Sequence, residues 1–183
     1  MNPNSTNIRG FTLIELLVVI SIIGLLASVV LASLNGARTK ARIAKAQQDL
    51  QQIEVALTLL NHDTGFGPGP GVPKTLAQCG TTITISDPNE TYLDIASAGL
   101  VATDGNFGSK WNGPYMDVMP TDPWGNRYWF DEDYACTNGV IGCEGRINGN
   151  TSLYRVVGSG GPNGTGINVY DSDNVVKILC SRG

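Results

Sequence analysis

Charge and proline are missing from a long stretch near the amino end: residues 11–34 contain no lysine, arginine, aspartate or proline, and Glu15 is their single ionisable side chain. Histidine occurs once in the chain, at His62, and the four cysteines include no CxxC pair, which speaks against a zinc site. There is no GxSxG elbow and no phosphate-binding P-loop, and no catalytic constellation emerges, so the expectation is a structural protein rather than an enzyme. Basic residues are also scarce, at 12 Lys and Arg against 16 Asp and Glu. Residues 61–183 hold 13 acids and 7 bases, the opposite of the basic surface that nucleic acid requires, so no nucleic-acid partner is predicted.

What is present is unevenly spread. At 183 residues the chain has room for one modest domain plus an extension. Hydrophobic residues make up 42% and charged residues 15%, with the apolar share concentrated in residues 11–34. Four cysteines, Cys79, Cys136, Cys143 and Cys180, point to disulfides in a chain that reads as exported. Three pairings are possible. Cys136 and Cys143 enclose a short glycine-containing loop, which favours Cys136–Cys143 together with Cys79–Cys180.

The amino end sets the class. Residues 1–10, MNPNSTNIRG, are polar and carry Arg9, and the apolar block starts at once with Phe11. A secretory signal would place its cleavage site beyond the apolar block, at small residues, and this block is too long for one. At 1.5 Å rise per residue it extends about 36 Å, enough to cross a hydrocarbon core of about 30 Å. Arg9 predicts a cytoplasmic amino end and an extracytoplasmic remainder. Glu15 is the anomaly, because a carboxylate at mid-bilayer costs about 2.5–3.5 kcal/mol on insertion scales. It asks for a cation or a strong donor, and residues 11–34 are expected to offer none. Removal of residues 1–10 would create an α-amino group on Phe11, at about the depth of Glu15 in a staggered second copy. Polymerisation would then supply the missing partner.

The run Arg9-Gly10-Phe11-Thr12-Leu13-Ile14-Glu15-Leu16 resembles the processing site of type IV prepilins and type II secretion pseudopilins. That resemblance implies cleavage between Gly10 and Phe11 by a membrane-embedded prepilin peptidase, N-methylation of Phe11 by the same enzyme, and a role for Glu15 in guiding subunits into the filament. It also implies partners: other copies of the chain in a helical filament, other pilins or pseudopilins, and the assembly platform in the inner or cytoplasmic membrane.

Beyond Leu34, Ile43, Ala46, Leu50, Ile53, Leu57 and Leu60 recur at intervals of three and four, one apolar stripe of a helix. Arg42, Lys45, Gln48, Asp49 and Gln52 fall mostly off it. His62-Asp63-Thr64-Gly65 and the turn-rich GFGPGPGVP of residues 65–73 end the helix. Four segments follow: a leader at 1–10, a transmembrane half-helix at 11–34, an exposed amphipathic half at 35–61, and a head at 62–183. Gly24 and Gly36 are soft points in the rod. Many type IV pilins have a proline late in the apolar segment; its absence here predicts a straighter helix, as in pseudopilins.

In the head, residues 81–86, 127–130, 153–157 and 175–179 read as short strands. With 23 glycines in the chain, they predict a small antiparallel sheet on the helix, hence an α+β fold. Asp131-Glu132-Asp133 reads as a solvated loop. Trp111-Asn112-Gly113-Pro114-Tyr115-Met116 and Asp122-Pro123-Trp124-Gly125-Asn126-Arg127-Tyr128 resemble the head signature of the major pseudopilins of type II secretion, with Arg127 where that family often has proline. The resemblance implies calcium in a loop near the carboxyl end, here residues 158–166 followed by Asp171 and Asp173. The expected function is therefore a major pseudopilin serving protein secretion. The alternatives are a type IV pilin for adhesion, motility or DNA uptake, and a single-pass anchored binding protein.

Overall fold

A computed structural model describes residues 10–68, 90–145, 153–165, 167 and 169–179. Helix α1 spans Leu13–Thr64 and continues through both Gly24 and Gly36. It ends where Gly65 takes a positive φ of 74°, the left-handed conformation that terminates helices, with its N–H donating to the Asn61 carbonyl at 2.8 Å. By contact density the chain forms two compact units, Met1–Ala41 and Arg42–Gly183.

In the first unit every described large apolar side chain is exposed, among them Phe11, Leu13, Ile20 and Leu31. The second unit is the head with the second half of α1. Ala46, Leu50, Ile53 and Leu60 are fully buried and Leu57 nearly so, so the periodic stripe is the face that meets the sheet. Asp49 departs from the expectation. It is buried on that face, paired with Lys45 and accepting from the Tyr128 hydroxyl at 3.0 Å. Burial, with Asp49 beside it, pushes the Tyr128 phenol far up.

The sheet has four antiparallel strands in the order β1 (Thr91–Tyr92), β2 (Trp129–Ala135), β3 (Leu153–Ser159) and β4 (Val175–Ile178). Strand alternation divides the core into two layers. Tyr128, Phe130, Val157 and Val175 face the helix, while Trp129, Val156, Val176 and Ile178 face a second cluster on the opposite side. That second layer is closed by the disulfide between Cys136 and Cys143, with Val140 beneath it. Gly142 in this loop has φ 104°, and a Cβ there would lie 1.9 Å from the Val176 carbonyl oxygen. The loop can approach β4 this closely because residue 142 has no side chain. The expected partners Cys79 and Cys180, and the strand expected at 81–86, lie outside the described residues, as does the leader at 1–9.

Asp131-Glu132-Asp133 corrects the sequence-based expectation of a solvated loop: all three lie within β2, Asp131 fully buried and Glu132 nearly so. Asp131 pairs with Val156 in regular register on the face of Trp129, so strand alternation carries it inward, and a bulge follows it. Between the pairs Asp131↔Val156 and Tyr134↔Tyr154, β2 advances three residues and β3 two. The extra residue returns Tyr134 to the face of Trp129, where the two rings stack with centroids 5.7 Å apart. Glu132 is matched by Arg155 of β3 at 2.6 Å. Strand β1, with Thr91 opposite Phe130, was not anticipated; two residues carry too little periodicity to be seen.

Candidate functional site

At the amino end, Gly10 and Phe11 precede the helix as exposed, non-helical residues. Thr12 and Glu15 form a reciprocal pair. The Thr12 N–H and hydroxyl donate to Glu15 Oε2 at 2.9 and 2.7 Å, and the Glu15 N–H donates to Thr12 Oγ1 at 3.3 Å. This corrects the expectation that the apolar run offers Glu15 nothing: Thr12 supplies two donors. The signal was present as a hydroxyl residue three positions before an acid at a helix start. All the recorded contacts fall on one carboxylate oxygen, so Oε1 keeps its lone pairs for a cation from elsewhere.

In the head, the turn at Asp122-Pro123-Trp124-Gly125-Asn126 is organised by the buried carboxylate of Asp122. Its Oδ1 accepts the N–H groups of Trp124 and Asn126 at 3.0 and 2.7 Å, and Oδ2 accepts the Ser159 hydroxyl at 2.5 Å. Ser159 in turn accepts the Gly161 N–H at 3.0 Å, and the Asn126 amide donates to the Gly161 carbonyl at 3.1 Å. One acid thus ties the aromatic turn to the start of the carboxyl-terminal loop. Trp111 is fixed by its indole N–H on the Gly99 carbonyl at 2.8 Å. The Tyr115 hydroxyl donates to Asp63 at 3.1 Å, joining this segment to the end of α1. Asp63 is held below the usual carboxylate range by its hydrogen bond to His62 and then by Tyr115. Arg127 pairs with Asp94 and lies 3.9 Å from the Tyr92 ring centroid, so it serves as a surface clamp at this position.

Asp171 lies where the sequence suggested, but its neighbours are donors: Asn163 at 2.8 Å and Thr165 at 3.1 Å on Oδ2, and the Asp173 N–H at 3.1 Å on Oδ1. That set fits a hydrogen-bonded turn. Three carboxylates that the described residues bring together as a possible metal group are those of Glu90, Asp131 and Asp133. Burial, with repulsion from Glu90 and Asp133, pushes the Asp131 carboxyl up to about 8. Sequence patterning could not find this group, because Glu90 is 41 positions from Asp131 and the bulge leaves no periodic trace.

A helical segment that is apolar on every side, with its large side chains exposed, requires lipid or copies of itself as a solvent. Combined with a head in which one antiparallel sheet packs on the later turns of the same helix, that requirement defines a pilin-like subunit. Residues 5–31 match the prokaryotic N-terminal methylation motif, and residues 87–146 match the family model for type II secretion system (T2SS), protein G. The chain is 33% identical over 120 residues to the type II secretion system core protein G of Escherichia coli K12, covering 66% of this chain and 69% of that protein. It is 32% identical to the same protein of Klebsiella pneumoniae, covering 66% and 71%, and 32% identical to that of Vibrio cholerae, covering 66% and 68%. No solved structure matches the chain. The chain belongs to the type II secretion system core protein G family.

Proposed function

We infer that this chain is a structural subunit of a type II secretion pseudopilus, the major pseudopilin. The observation that carries this reading is the amino-terminal segment: an exposed apolar helix that opens on a glutamate whose second oxygen is unengaged. The subunit inserts with its amino end in the cytoplasm and its head outside. A prepilin peptidase cuts between Gly10 and Phe11 and methylates the Phe11 amine. The helix then moves sideways from lipid into the growing filament. In the membrane, Thr12 lowers the cost of carrying Glu15 by donating to Oε2. In the filament, the Phe11 ammonium of a staggered neighbour takes Oε1, so the charge pair sets register while close packing of apolar side chains supplies most of the cohesion. The head serves as a scaffold, and the chain has no catalytic part in this account.

Glu15→Val tests the mechanism. Insertion and leader removal should persist, seen as an unchanged mass of the mature chain in membranes, while filament yield falls at least tenfold. Undiminished filaments from the variant would refute it. Mature protomers that retain residues 1–10 in their own cells would refute the processing step.

A further inference from the structure

Three carboxylates of the head, far in sequence from the amino-terminal segment, converge where β2 bulges. The register pairs Thr91 with Phe130 and Tyr92 with Trp129, so one further step sets Glu90 against Asp131. The bulge turns Asp133 back toward them, its N–H donating to Asp131 Oδ1 at 2.8 Å. One oxygen from each of the three side chains lies within 4.8 Å of the other two. Like charges facing each other across antiparallel strands repel. Asp131 is 0% exposed, and its Oδ2 is buried without a hydrogen-bond donor among the described residues. A buried acceptor with no donor, flanked by two more acids, is a place for a cation. The one cationic side chain recorded on this part of β3, Arg155, is paired with Glu132.

We propose that Glu90, Asp131 and Asp133 bind one divalent cation of the calcium class. All the donor atoms are carboxylate oxygens, which select hard ions. Oxygens bound to a single calcium at about 2.3–2.6 Å can stand up to roughly 5 Å apart, whereas magnesium, at about 2.0–2.1 Å, needs a tighter cage. Glu90 and Asp133 are partly exposed, which leaves a route from solvent and positions for water in the coordination shell. The ion would fasten β1 to β2 at the bulge, across two strands that pair through only two residues of β1.

The test uses the full-length chain in detergent micelles, stripped with EDTA. Calcium chloride is titrated by calorimetry, and terbium is titrated by its aromatic-sensitised emission. Trp129, two residues before Asp131 on the same face of β2, acts as the antenna. Asp131→Asn and Glu90→Gln should each weaken one calcium site at least tenfold and remove the calcium-competed terbium emission. Asp171→Asn should leave that site unchanged. Glu90→Gln, at the partly exposed rim, keeps the test decisive should Asp131→Asn fail to fold. The proposal is overturned if the parent chain binds no calcium at millimolar concentration. It is overturned equally if both cluster variants titrate as the parent does, or if Asp171→Asn alone abolishes binding.

Discussion

Replacing Asp122 by alanine removes the acceptor on which the aromatic turn and the carboxyl-terminal loop both depend. Asp122 is 3% exposed and Ser159 is fully buried, so water cannot readily replace the lost partner. Three donors point at the carboxylate within 3.0 Å: the N–H groups of Trp124 and Asn126 and the Ser159 hydroxyl. Hydrogen bonds to a charged group contribute about 1.5–3 kcal/mol each, and a buried donor left unmatched costs about 1–3 kcal/mol. These effects overlap, and some relaxation follows, so Asp122→Ala should destabilise the head by about 3–5 kcal/mol, the range for breaking a buried charged network. Asp122→Asn keeps an oxygen for the two N–H groups, and the Ser159 hydroxyl can rotate to accept the new amide, so its cost should be about 1–2 kcal/mol. Urea unfolding of the full chain in micelles, followed by tryptophan fluorescence, measures each variant. A double-mutant cycle with Ser159→Ala should return a coupling of about 1 kcal/mol or more, since the two groups share one hydrogen bond. An Asp122→Ala variant within about 0.5 kcal/mol of the parent, the usual range for a plain surface substitution, would refute this account of the turn.

The remaining expectations concern backbone, pH and the amino end. Gly142→Ala combines a positive φ of 104° with a Cβ at 1.9 Å from the Val176 carbonyl oxygen, whereas Gly125→Ala, at φ 93°, meets nothing within 4 Å. Strain alone costs about 1–3 kcal/mol, so thermal unfolding should show both variants destabilised and Gly142→Ala clearly the worse; equal losses would remove the claimed contact with β4. Asp63 has its folded pKa depressed, so its contribution to stability is present above its unfolded value of about 3.9 and is lost as pH falls through the lower folded value. The difference in melting temperature between the parent and Asp63→Asn should therefore be larger at pH 5 than at pH 3 and shrink below about pH 4; a flat difference between pH 5 and pH 3 contradicts the link to His62 and Tyr115. Thr12→Val removes the hydroxyl from the pair with Glu15 but keeps the Thr12 N–H, so filament formation should fall less than in Glu15→Val; an equal fall, measured as sheared filament protein, would show that capping rather than intersubunit pairing is what Glu15 provides.

Local and periodic information determined much of this protein. An apolar run, a lone acid five residues into it, and spacings of three and four after Leu34 are properties of consecutive residues, and they specify a long helix and its buried stripe, while the resemblance carried by residues 9–16 points to the class of subunit. The strands of the head were legible where alternation is regular, as at residues 153–157 and 175–179. Cys136 and Cys143 were legible as a pair because only a short loop separates them. Tertiary structure alone decided the rest, since it depends on residues far apart in the chain. Asp49 reads as a surface residue until Tyr128, 79 positions away, offers it a hydroxyl. Asp131-Glu132-Asp133 has the composition of a solvated loop, and it is pairing with β3 that buries Asp131 and Glu132 and pairing with β1 that brings Glu90 to Asp131. Burial of charge is a property of the assembled layers, and no window of sequence contains it.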